Sequence, residues 1–177
     1  VCVLSSKKNA SGLERAERRG VPAFAIPRRD FADVSSFNDA LHETLDRFEP
    51  DLVCLFGFLS PFELRGRHEG RVLNVHPALI PAFSGKGFYG RHVHEAVLEK
   101  GVKLSGATIH FVSEGYDNGP ILLQDTVEVH DDDTPDSLAE RVQALERELF
   151  PKAVQLIAEG RVMIEGGRTR IAPAKEG

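Results

Sequence analysis

Residues 71–100, RVLNVHPALIPAFSGKGFYGRHVHEAVLEK, decide how the chain folds. Arg71 to Val75 is an apolar run that reads as a strand, Pro77 to Gly90 is broken by Pro and Gly and reads as a loop, and Arg91 to Lys100 reads as a helix. Strand, loop and helix in that order form the unit of an α/β protein, and the unit recurs upstream. Val1 to Leu4 is followed by a polar loop from Ser5 to Ala10 and by a helix from Gly12 to Arg19 that Gly20 ends. Val21 to Ile26 is the next strand. Ser35 or Ser36 caps a helix carrying Phe37, Leu41, Leu45 and Phe48 on one face, and Pro50-Asp51 stops it before a strand at Leu52 to Phe56. Parallel strands with helices on both faces bury such a pattern, so an open, mostly parallel, Rossmann-like sheet is expected.

Downstream the pattern changes. Ala107 to Val112 and Ile121 to Val129 are strand-like runs joined through the turn Glu114 to Gly119, which predicts an antiparallel pair. Thr134, Pro135 and Asp136 open a long helix with Leu138, Val142, Leu145, Leu149, Val154 and Ile157 on one stripe, ending at Gly160. Arg161 to Ile164 and Arg168 to Ile171 flank Gly166-Gly167 as a hairpin. No repeat or linker divides residues 1–177, so one domain is expected.

The composition narrows the function. A formal charge of -5 offers no basic field for nucleic-acid phosphates or an anionic membrane, and no apolar run reaches the length of a membrane span. Small-molecule substrates are expected, with neither nucleic acid nor membrane as partner. Cys2 and Cys54 sit in Val/Leu-rich runs and read as core residues of a reduced, cytoplasmic protein. His92, His94 and His110 match no common metal spacing, so no metal is expected. Gly85-Lys86-Gly87 lacks Walker-loop spacing and reads as a flap.

Open α/β sheets bind ligands at the carboxyl ends of their strands. Asn74 and His76 stand two apart at such an end, so both side chains leave one face while Val75 points the other way. Asp117 lies in a Gly-bounded turn after the strand that carries His110 and Thr108. An amide donor, an imidazole and a carboxylate suit acyl transfer between nitrogens: the tetrahedral intermediate needs donors at its oxyanion, and the attacking amine must lose a proton. Asn74 and a protonated His76 would hold the oxyanion, with Asp117 favouring the imidazolium and taking the proton. The same pattern also fits a hydrogen-bonded turn without chemistry.

Three stretches carry a resemblance: Asn74-Val75-His76-Pro77-Ala78-Leu79-Ile80-Pro81, Gly106-Ala107-Thr108-Ile109-His110-Phe111-Val112 and Asp117-Asn118-Gly119-Pro120-Ile121-Leu122-Leu123-Gln124. Together they resemble the formyltransferase family that uses 10-formyltetrahydrofolate. Ala82 to Gly90, and Arg141 to Glu146 followed by Phe150-Pro151, resemble the branch that acts on 5-phosphoribosylglycinamide. The resemblance implies that Asn74, His76 and Asp117 are catalytic, with His110 and Thr108 supporting them from behind. It implies that Ser113, Glu114, Gly115, Tyr116 and Asn118, with Phe58 and Leu59, line the folate pocket, and that Gln143 and Glu146 face the ribonucleotide. A monomer or homodimer is expected.

Two departures accompany it. The family carries a few more residues where this chain runs Gly57 to Phe62. It also opens with a strand, a Gly-x-Gly-Ser-Asn phosphate loop and a helix, whereas Val1 to Ala16 resembles its second strand and following helix. The expected domain therefore lacks that first strand, loop and helix. Two other activities fit the same residues: a formyltetrahydrofolate deformylase, and a non-catalytic folate-binding remnant.

Overall fold

A computed structural model describes residues 1–115 and 117–174. It divides into two compact units, one of Val1–Val53 with Phe58–Arg65, the other of Cys54–Gly57 with the described residues from Gly66 onward.

In the first unit, β1 (Val3–Ser5) and β2 (Ala23–Ala25) are parallel neighbours joined through α1 (Ser11–Glu17). Helix α2 (Val34–Asp46) follows. Its cap is Asp33, whose carboxylate accepts from the Ser36 N–H at 2.7 Å, and not Ser35 or Ser36 as expected. Both residue types cap well; here the carboxylate three residues earlier takes the amide, leaving Ser36 inside the first turn. Phe37, Leu41 and Leu45 bury the expected face, and Leu4, Phe31, Phe58 and Phe62 pack around Ile26, Phe37 and Leu41. The same face also buries Asn38 and His42. Asn38 Oδ1 accepts from Glu63 N–H at 2.9 Å and its Nδ2 donates to Pro61 O at 3.3 Å, while His42 Nε2 lies 2.7 Å from Glu63 O. These buried polar groups tie residues 61–63 to α2 by satisfying otherwise orphaned backbone.

The second unit is built on a four-stranded sheet in the order β3 (Val53–Leu55), β4 (Val72–His76), β5 (Leu104–Phe111) and β6 (Ile121–Glu128). The expected antiparallel pairing of β5 with β6 is present, and β4 is antiparallel to β5 as well. The sheet directions are thus mixed, within the α/β class read from the sequence. Among the described residues β1 is hydrogen-bonded to β2 alone and β3 to β4 alone. Helix α3 (Arg91–Lys100) ends at Gly101, whose φ of +66° makes the left-handed cap that a side chain would resist. Helix α4 (Pro135–Ala158) begins as read, with Thr134 and Ser137 exchanging side-chain to backbone hydrogen bonds and Pro135 at the first position. Arg141 pairs with Asp133 and donates to Glu128 O at 3.0 Å, fastening the end of β6 to α4. Val72, Leu73, Val93, Val97, Ile109, Leu138 and Val142 form the fully buried core. A hairpin of β7 (Val162–Glu165) and β8 (Arg168–Ile171) closes the described chain.

Cys54 is exposed and Cys2 half-buried, contrary to the core placement expected of both. Strand alternation explains Cys54: Val53 takes the buried side of β3 and its neighbour faces out. No helix among the described residues is long and apolar enough to cross a membrane.

Candidate active site

Strand β4 separates its side chains by chemistry. Leu73 and Val75 take one face and Asn74 and His76 the other, and the antiparallel register sets His110 opposite Asn74 and Thr108 opposite His76. Gln124 of β6 stands opposite Thr108. The Thr108 hydroxyl donates to Ala78 O at 2.7 Å and accepts from Ile80 N–H at 3.2 Å and Gln124 Nε2 at 2.9 Å. That hydroxyl therefore fixes the chain as it leaves β4. Gln124 also donates to Ile80 O at 2.9 Å, a supporting part that its place in the motif alone did not reveal.

Asp117 reaches this face from the loop after β5. The loop turns back at Gly119, where a Cβ would lie 1.7 Å from Phe111 O, so only glycine permits the approach. Asp117 holds a left-handed φ of +52°, which a short polar side chain tolerates. Its Oδ2 accepts from Gly85 N–H at 3.0 Å and lies 3.5 Å from His76 Nδ1; its Oδ1 lies 3.6 Å from His110 Nε2. His76 Nε2 donates to Phe83 O at 2.7 Å, and Asn74 Nδ2 lies 3.2 Å from His110 Nε2. Asn74, His76, His110 and Asp117 are thus one connected group.

Burial pushes the His76 imidazole down, and the Asp117 charge and the Phe83 carbonyl, which both raise it, do not recover the loss. The resting ring is neutral at neutral pH, so the expectation of a protonated His76 is corrected: its side chain is 4% exposed, and desolvation outweighs the carboxylate. For Asp117, burial pushes upward, but the His110 ring 3.6 Å away, the hydrogen bond from Gly85 N–H and the nearby His76 imidazole bring it below the ordinary carboxylate value. It is ionised. An ionised carboxylate beside a neutral imidazole nitrogen accepts a proton, and a neighbouring amide donates to an oxygen.

Other residues singled out in the sequence lie elsewhere. On the Asp117 loop Ser113 is half-buried while Glu114, Gly115 and Asn118 are exposed, and Tyr116 lies outside the described residues. Phe58 stacks on Phe37 at 6.4 Å in the first unit, where Leu59 is exposed. On α4 Gln143 is exposed, whereas Glu146 occupies the buried stripe between Val142 and Phe150. Burial pushes the Glu146 carboxyl up to about 7. Among the described residues no group of three or more His, Cys, Asp or Glu is placed to hold a metal ion. The contacts that residue types did not signal are main-chain ones, the Phe83 carbonyl on His76 and the Gly85 N–H on Asp117.

Known proteins share this arrangement of sequence and fold. The chain is 44% identical over 166 residues to phosphoribosylglycinamide formyltransferase, chloroplastic, of Arabidopsis thaliana, covering 92% of this chain and 56% of that protein. It is 40% identical over 173 residues to trifunctional purine biosynthetic protein adenosine-3 of Bos taurus, covering 95% of this chain and 16% of that one. The chain therefore spans just over half of the plant relative and about a sixth of the bovine one. Glycinamide ribonucleotide transformylase 1 from Symbiobacterium toebii superposes with a TM-score of 0.90 at 41% identity, covering 98% of this chain and 81% of that one. A family model described as Formyl transferase matches residues 1–154, and with the Asn-x-His strand and the Asp117 turn both inside that span, the chain belongs to the formyl transferase family.

Proposed function

We propose that residues 1–177 act as one formyltransferase domain that moves the formyl group of 10-formyltetrahydrofolate to the amine of 5-phosphoribosylglycinamide, a step of purine biosynthesis. The observation that carries the reading is His76 Nδ1 facing Asp117 Oδ2 at 3.5 Å, with the Asn74 amide 3.2 Å from His110 Nε2, which itself stands 3.6 Å from Asp117 Oδ1. The substrate amine attacks the formyl carbon, and the carbonyl π electrons move to oxygen. Asn74 donates to that oxygen, an interaction that strengthens as charge develops and whose loss costs about 10²–10³ in rate in comparable sites. The amine proton passes to the His76 and Asp117 pair. The resulting imidazolium stands next to the carboxylate that stabilises it. Collapse of the intermediate expels the folate nitrogen, which takes the proton back.

In this reading Ser113, Glu114, Gly115 and Asn118 contact the folate, and Gln143 and Glu146 contact the ribose, whose paired hydroxyls a carboxylate accepts from. The protein works on two small molecules in the cytoplasm, as a monomer or homodimer. The test is to incubate the protein with formyl folate, with and without the ribonucleotide, and to assay formyl ribonucleotide, free folate and formate. Formyl ribonucleotide supports the reading. Formate released without ribonucleotide would assign a deformylase, and folate binding without either product a remnant.

A further inference from the structure

His110 is 2% exposed, and its two ring nitrogens have different partners. Nδ1 lies 3.0 Å from the carbonyl oxygen of Phe111. A carbonyl only accepts, so Nδ1 carries the ring hydrogen, and in the neutral ring Nε2 is a lone pair. Asn74 Nδ2, which only donates, lies 3.2 Å from that lone pair. One tautomer and one amide orientation satisfy both contacts.

We infer that His110 is a positioning residue: accepting one hydrogen of the Asn74 amide, it leaves the second N–H of the same amide as donor to the formyl oxygen. The reversed amide would bring its carbonyl oxygen toward the developing negative charge. Asp117 makes the choice consequential, because its Oδ1 is 3.6 Å from the same Nε2. A hydrogen on Nε2 would bond that carboxylate, and Asn74 would then meet it with Oδ1. The Phe111 carbonyl, by holding the hydrogen on Nδ1, keeps His110 turned toward Asn74 as an acceptor. The consequence for rate rests on the proposed formyl transfer, whereas the tautomer does not.

Two measurements test the inference. Nitrogen-15 NMR of the histidine-labelled protein at neutral pH, with His110 assigned by loss of its signal in His110→Gln, is expected to show a protonated, pyrrole-like Nδ1 and a pyridine-like Nε2. A pyrrole-like Nε2 overturns the inference whether or not the protein transfers formyl groups. Kinetically, His110→Leu is expected to lower kcat by about 10² with KM for both substrates little changed, as for a lost oxyanion donor. His110→Gln, which keeps an acceptor toward Asn74, should recover most of that loss. In an Asn74→Ala background His110→Leu should cost nothing further, because it acts through Asn74. A full additional loss there, in protein that melts like its parent, assigns His110 to Asp117 or to the fold and overturns the proposal. A wild-type protein that transfers no formyl group refutes the proposed function and leaves the NMR result to decide the tautomer.

Discussion

His76 Nδ1 and Asp117 Oδ2 face each other across 3.5 Å as two acceptors, because the neutral imidazole has committed its one hydrogen at Nε2 to Phe83 O, 2.7 Å away. A proton delivered into that gap is held by both groups. Asp117→Asn keeps the size and the tolerance of a left-handed φ while removing the charge. It should lower kcat by about 10² or more with little change in folate affinity. Equal losses in turnover and affinity would instead make Asp117 a binding group.

The pH profile follows from the same pair. His76 accepts a proton only when neutral, and burial holds its pKa below the ordinary 6.5 against the raising effects of Asp117 and Phe83. The kcat should therefore stay level as pH falls through 6.5 and drop only below it. Asp117→Asn removes a charge that raises His76, so its acid limb should move to still lower pH. A wild-type acid limb above 6.5 would show that Asp117 and Phe83 outweigh burial, and a kcat that falls as pH rises through the His76 pKa would show that the charged ring is the active form.

Much of this site was legible because residue type and spacing carried it. Asn74 and His76 two apart on a strand had to share a face, and Thr134, Pro135 and Asp136 marked the start of α4. The failures share a cause: they depend on what surrounds a residue. The capping of α2 turned on the Asp33 carboxylate, three residues before Ser36, taking the Ser36 amide, and Cys54 on which side of a three-residue strand is covered. The charge state of His76 depended on its burial, which no pattern of neighbours records. Phe83 and Gly85 act through main-chain groups that every residue possesses, so their identities gave no sign.

Gly119 and Gly12 offer opposite outcomes for one substitution. A Cβ at Gly119 would meet Phe111 O at 1.7 Å and its carbonyl carbon at 2.8 Å, so Gly119→Ala must displace the backbone. It should destabilise the protein by about 2 kcal/mol or more and lower kcat at temperatures where the protein remains folded, since Phe111 O holds His110 Nδ1. A methyl group added at Gly12, in helix α1, would have nothing within 4 Å of it, and the residue has no positive φ. Gly12→Ala should raise stability by about 0.5–1 kcal/mol. Thermal or urea melts of both variants check the pair, and a neutral Gly119→Ala would show that the loop has room to relax.

The two substrates should bind residues 1–177 unequally. The sequence contains no Gly-x-Gly-Ser-Asn, the loop that the family resemblance assigns to the ribonucleotide phosphate, whereas the Asp117 loop assigned to the folate is present. Calorimetric titration of this segment should give far weaker binding of the ribonucleotide than of the folate, and a fused family-like phosphate loop should restore it. Micromolar ribonucleotide binding by the segment alone would place the phosphate grip on residues already within it.

Glu146 sets stability against binding. It occupies the buried stripe of α4 at 8% exposure, and burial raises its carboxyl from the ordinary 4.5 to about 7. Between those values the folded protein binds more protons than the unfolded chain, so the stability that the neutral carboxyl gives is complete below about 4.5 and lost as pH rises through about 7. Such a rise corresponds to roughly 3 kcal/mol at most. Glutamine resembles the neutral acid at every pH. Glu146→Gln should leave the urea midpoint nearly unchanged at pH 4.5 and raise it clearly at pH 8, while weakening ribonucleotide binding if the carboxylate accepts from the ribose. An equal change in midpoint at both pH values would show that the carboxyl ionises freely in the folded protein. An unchanged ribonucleotide affinity would remove Glu146 from the site and leave it as a buried acid on a helix.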